Sequence, residues 1–175
     1  MKTILLAGFC FLFVLVEAGN SQNIPGTELY LGSTLMSRGP NTSQLFSVNG
    51  AADFNRNQWF GIRGDVGAHI GEVYAEKSLG TLLAGPVFSV RSVSGLRPFG
   101  HALIGGAVSG CANSSPCQTG FALAHAFGGG VDAQPWKRRI AVRVSADALT
   151  TRFHGQNQHF TRVSFGVAFP LGSRS

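Results

Sequence analysis

The sequence predicts an all-β protein in which eight antiparallel strands close into one barrel, and three observations predict it. The stretch from Phe160 to Leu171 alternates. Val163, Phe165, Val167, Phe169 and Leu171 are apolar, whereas Arg162, Ser164, Gly166 and Ala168 between them are polar or small. That period of two marks a strand with unlike faces. The composition points the same way, since 24 glycines and only 8 Asp and Glu among 175 residues fit short strands joined by turns better than a helical protein, whose exposed faces need charge. Finally, eight strand-like stretches can be marked, most near the ~9–11 residues that cross hydrocarbon at a tilt.

In order, the first stretch runs from Thr27 to Ser37 and is followed by turn residues Arg38, Gly39, Pro40 and Asn41. The second runs from Gln44 to Phe54 and stops at Asn55–Gln58. The third, Trp59 to Gly71, has the cleanest pattern: Phe60, Ile62, Val66, Ala68 and Ile70 share one face, and Gly61, Arg63, Asp65, Gly67 and His69 the other. After the polar stretch Glu72–Ser78 comes the fourth, Thr81 to Arg91, which contains Pro86, a cost in a closed ladder. The fifth is Pro98 to Ser109, the sixth Gly120 to Asp132, the seventh Arg138 to Thr150, and the eighth Phe160 to Leu171. Connections after strands one, three, five and seven read as longer or more polar than those after two, four and six, the asymmetry a membrane barrel shows between its two rims.

Residues 1–18 are expected to be a cleaved export signal, and residues 19–175 one barrel domain. Lys2, the apolar run Ile4–Val16, and small Ala18 and Gly19 have the layout of a secretory signal, and the run is short of the ~20 residues a spanning helix needs. No other stretch is long and apolar enough for such a helix, so a membrane-spanning chain would have to be a closed sheet. The net charge of +6 comes from scattered Arg residues with no run longer than Lys137–Arg139, so nucleic acid is not an expected partner. Positive charge at barrel rims would meet lipid phosphates instead.

Alternation alone leaves open which face points inward, because a soluble ligand-binding barrel has the same period with an apolar interior. Strand charges decide for a polar interior. Asp132 lies beside Gly128 and Gly130, and Arg143 and Asp147 beside Ala141 and Ser145. Mixed signs among small residues describe a narrow lumen filled by ion pairs. An outer face in water would carry long Lys and Glu side chains, yet beyond the signal only Lys77 and Lys137 are present. The expected network is Arg63, Asp65, Asp132, Arg139, Arg143, Asp147 and Arg162. His101 and His125 interrupt whichever face is chosen in strands five and six.

Phe127-Gly-Gly-Gly-Val-Asp132, then Arg139-Ile-Ala-Val-Arg143 and Asp147, resemble the pattern of small outer-membrane β-barrel domain proteins common in acidobacteria. Asn49-Gly50, Trp59-Phe60-Gly61, Gly85-Pro86 and Pro98-Phe99 are similar to that family too, although Val87 stands where its pattern has a basic residue and His125 interrupts an apolar stretch. The resemblance implies an eight-stranded up-and-down transmembrane barrel related to the membrane domain of outer-membrane protein A. Ser164, Gly166, Phe169 and Leu171 resemble the C-terminal sorting signal of such proteins, which implies the barrel-assembly machinery as a partner. The chain ends four residues later, and no peptidoglycan-binding domain is expected.

Cys111 and Cys117 flank a turn containing Pro116 and are expected to form a loop disulfide in an oxidising compartment. Some outer-membrane barrels modify lipid A with Ser and His, which draws attention to His69, His154 and His159. A catalytic pair needs a hydroxyl in reach and an acid to orient the imidazole, and spacing supplies neither, so no catalytic residue, cofactor or metal is expected. The expected protein is a monomeric structural or surface-interaction barrel in contact with outer-membrane lipids, including lipopolysaccharide phosphates. A lipid-modifying enzyme, a small pore and a soluble ligand-binding barrel are the alternatives.

Overall fold

The computed structural model describes residues 25–37, 45–73, 76–90, 95–110, 120–134, 140–153 and 155–171. Eight strands follow one another: β1 Thr27–Ser37, β2 Leu45–Asn55, β3 Phe60–Val73, β4 Glu76–Ser89, β5 Leu96–Gly110, β6 Gly120–Ala133, β7 Ala141–Phe153 and β8 Gln156–Leu171. Each pairs antiparallel with the next, and β8 returns to β1 to close the barrel. The stagger of the closed sheet can be read from its pairs. A walk from His159 through Thr150, His125, Ile104, Ala84, Gly64, Ala52 and Leu29 arrives at Phe169, ten residues along β8. Strands in such a barrel tilt by roughly 35–45° and leave an interior only side chains can fill.

The parity of every strand is settled by burial. Glu28, Tyr30, Thr34 and Met36 of β1 are buried, as are Asp53 of β2, Arg63 and Asp65 of β3, and Arg143 and Asp147 of β7. On the opposite face, 26 large apolar side chains among the described residues are exposed, Phe46, Ile62, Leu82, Ile104, Phe127 and Phe165 among them. This inverts the arrangement of a soluble protein and suits a lipid solvent. His101 and His125 fall on opposite faces: His101 is buried in the lumen, and His125 faces outward between Ile104 and Thr150.

One expectation is corrected. The asymmetry between rims does not lie in connection length, because β3 joins β4 through residues 74–75 and β7 joins β8 through residues 154–155. It lies in the strands. β4 starts at Glu76 rather than Thr81, and β8 at Gln156 rather than Phe160. These extensions were read as loops because they are polar; a hairpin rising beyond the apolar band meets water on both faces and needs no alternation. Pro86 lies inside β4 as expected, and the ladder is locally interrupted beside it. β4–β5 pairing runs to Ala84–Ile104 and resumes at Val87–His101, so the missing N–H falls where the ladder is already interrupted.

At the opposite rim, the β2–β3 turn is built by Asn57, whose Oδ1 accepts from the backbone N–H of Trp59 at 3.0 Å and Phe60 at 2.8 Å. Trp59, Phe60 and Phe88 then cluster, with Trp59 stacked on Phe88 at 6.3 Å between ring centroids. This is an aromatic belt at the end of the apolar wall.

Candidate functional site

The inward residues of β7, read from the chain-terminal rim, are Ala141, Arg143, Ser145, Asp147, Leu149, Thr151 and Phe153. Charge therefore gives way to apolar bulk along the axis. The terminal-side half holds an ion-pair lattice. Arg63 donates to both oxygens of Asp53, Nε–Oδ1 at 2.6 Å and Nη2–Oδ2 at 2.8 Å. Arg143 grips Asp132 in the same two-pronged way at 2.7 and 2.9 Å, and reaches Asp53 Oδ2 with Nη1 at 3.0 Å. Arg97, near the mouth, bridges Glu28 and Asp132, and Asn55 donates to Glu28 at 3.0 Å. The guanidinium groups of Arg63 and Arg143 lie 4.6 and 4.7 Å from the Phe99 ring centroid. Such packing supplements ion pairs in a desolvated site.

A second cluster lies deeper. Arg162 donates to Asp147 at 2.6 Å and to Asp65 at 3.4 Å. His101 stands between the clusters, with Nδ1 3.1 Å from Nη1 of Arg63. Arginine only donates, so Nδ1 accepts, and the ring proton sits on Nε2, aimed at Asp147 Oδ2 3.8 Å away. Glycine makes room here. A Cβ on Gly128 would fall 2.2 Å from Cβ of Asp147, and one on Gly130 2.2 Å from the Val144 carbonyl. The space those glycines leave is thus taken by β7 itself rather than by arginine side chains.

Above the charges comes a hydroxyl and imidazole layer. Thr34 and Ser164 share a hydrogen bond of 2.7 Å, and Ser47 Oγ lies 2.6 Å from His69 Nδ1. The loop-side half is then packed by Met36, Leu79, Leu83, Leu103, Leu149, Phe153 and Phe160. Buried ion pairs therefore stand in one half of the lumen, and buried apolar side chains in the other.

Of the seven residues expected in the network, Arg63, Asp65, Asp132, Arg143, Asp147 and Arg162 are buried in the lumen. Arg139, Cys111, Cys117, His154 and the export signal lie outside the described residues. Ser164 faces inward against Thr34, Gly166 pairs with Gly32, and Phe169 and Leu171 are exposed on the outer wall. Sequence reasoning left Glu28, Asp53, Arg97, Phe99 and His101 out of the network. Their signal was parity: Arg97, Phe99 and His101 alternate, but starting the fifth strand at Pro98 cut Arg97 away.

No family model matches the sequence, and no curated protein matches it. Solved structures do. The barrel superposes on Neisserial surface protein A with a TM-score of 0.67 at 11% identity, over 83% of this chain and 96% of that one. The N-terminal β-barrel domain of Pseudomonas aeruginosa OprF gives 0.56 at 13% identity, over 85% and 100%. Yersinia pestis Ail in a phospholipid nanodisc gives 0.52 at 15%, over 82% and 98%. The chain has the fold of small eight-stranded outer-membrane β-barrels.

Proposed function

We propose that this chain is an exported, monomeric barrel of the bacterial outer membrane whose role is structural or surface-interacting, and which does not conduct. The fold it shares with small outer-membrane barrels is the premise. The observation that carries the reading is the lumen, closed by Arg63, Asp53, Arg143 and Asp132 in one half and by Leu83, Leu149, Phe153 and Phe160 in the other. A pore needs a continuous aqueous path, and the buried side chains standing across both halves of the lumen argue against one. Residues 1–18 would direct export, and the Ser164–Leu171 segment would engage the assembly machinery.

The test combines fractionation with gel migration before and after boiling. A membrane-fraction protein that migrates faster unboiled supports the reading. Soluble protein without a shift overturns it.

A lipid-modifying enzyme draws support from one observation, the Ser47–His69 contact at 2.6 Å. Both residues are sealed in the lumen, at 1% and 2% exposure, and Asp65 and Asp147 are engaged by Arg162. Among the described residues no acid is bonded to the imidazole, and the contact reads as a buried hydrogen bond. Ser47→Ala is expected to leave the acylation pattern of the host lipid unchanged in mass spectra of extracted lipid A.

A further inference from the structure

The outer wall carries a polar break on one side. His125 of β6 pairs with Thr150 of β7, which pairs with His159 of β8, so three outward residues line up across neighbouring strands. Thr150 Oγ1 and His159 Nδ1 are 3.0 Å apart. Arg152 follows two residues further on β7, exposed and opposite Asn157. Elsewhere toward the loop-side rim, Ile70, Val108 and Phe121 are exposed.

The stagger of the barrel sets depth. Stepping from β8 to β7 to β6 along the pairing descends toward the terminal rim by roughly 3 Å per strand at a tilt near 40°. His159 therefore stands highest and His125 lowest, edge-on to Phe127 at 5.7 Å between centroids. Below Thr150 the outward residues of β7 are Ala148 and Ala146. Ala148 lies between Phe127 and Thr161, and Ala146 between Gly129 and Val163, so a strip of small residues continues down the wall, bordered by Phe127 on the β6 side and Val163 on the β8 side.

Among the side chains described, the charge on this surface is one-signed. Every carboxylate whose side chain is described, Glu28, Asp53, Asp65, Asp132 and Asp147, is buried in the lumen. The break thus offers a guanidinium fork, imidazole nitrogens and a hydroxyl, the donors that match the oxygens of a phosphate.

We propose that the His125–Thr150–Arg152–His159 patch binds the phosphate headgroup of a lipid in the outer leaflet, with an acyl chain lying along the Ala148–Ala146 strip. The proposal rests on the membrane reading above. A lipid is the occupant because the lowest donor, His125, sits among Ile104 and Phe127 on the apolar wall, where a ligand arrives from the bilayer side. Arg152 at the rim adds the attraction of a cation for anionic headgroups.

The experiment uses the full chain purified from membranes into neutral detergent, with bound lipid read by native mass spectrometry. The probes are diphosphoryl lipid A, the same lipid with its phosphates removed, and inorganic phosphate. Wild type is expected to retain one diphosphoryl lipid A at least about five-fold better than the phosphate-free lipid, and the double variant Arg152→Gln, His159→Gln to lose that preference. Equal retention of the two lipids by wild type overturns the proposal, whatever the variant does. Displacement of the lipid by equimolar inorganic phosphate also overturns it, assigning the patch to a soluble anion. A protein that stays aqueous and shows no gel shift fails the membrane reading and this proposal together, whereas a shifted barrel that discriminates nothing fails this proposal alone.

Discussion

Asp53 is shared by two arginines, accepting from Arg63 on β3 and from Arg143 across the barrel on β7. Its removal would leave two desolvated guanidinium groups short of a partner, and Asp53→Ala is expected to cost about 3–5 kcal/mol. Asp65→Asn is expected to cost less, about 1–2 kcal/mol, because its contact with Arg162 is 3.4 Å long and Arg162 keeps Asp147 at 2.6 Å. Urea titration of both variants in lipid vesicles, followed by tryptophan fluorescence, measures the order; equal losses would disprove the hierarchy. At this scale the sequence showed which charges point inward, since that follows from a period of two. It did not show who meets whom. Arg143 to Asp53 and Arg162 to Asp65 join strands that are not neighbours, and such pairs depend on the width and stagger of the barrel, which no local pattern encodes.

For the elements, the critical constraint is where backbones pass closest. β6 lies so tightly on β7 that a side chain at Gly128 would overlap Asp147, a collision with the strand itself rather than with a mobile tip. Gly128→Val is accordingly expected to prevent closure between β6 and β7 and to abolish the boil-dependent gel shift, whereas Gly64→Ala, with open space around its Cβ, keeps it. β1 was legible to the residue, from Thr27 to Ser37, because the turn residues Arg38, Gly39, Pro40 and Asn41 mark its end. β4 and β8 were read short, because their first turns leave the hydrocarbon and lose the contrast between faces. The aromatic belt around Trp59 was legible only as residues near a strand end; the stacking with Phe88 needed the β3–β4 register.

The whole molecule is a plug as much as a wall. In planar bilayers the purified barrel is expected to give no stepwise conductance, since ions would have to pass the ion-pair lattice and then the Leu83, Leu149 and Phe160 packing; steady single-channel steps would refute the closed-lumen reading. Closure, antiparallel order and the inside-out polarity were all foreseeable from alternation and composition. The division of the lumen was not, because Leu103 and Leu149 share inward faces with His101 and Arg143 and the eye groups residues by face, not by depth. That division bears on how the chain enters a bilayer. If its termini stay on the side of delivery, the edge that advances through hydrocarbon presents Met36, Leu79, Phe153 and Phe160, and the guanidinium and carboxylate groups trail behind. The described interior of the leading half carries no ion pair, and the lumen charges submerge only when their partners are alongside.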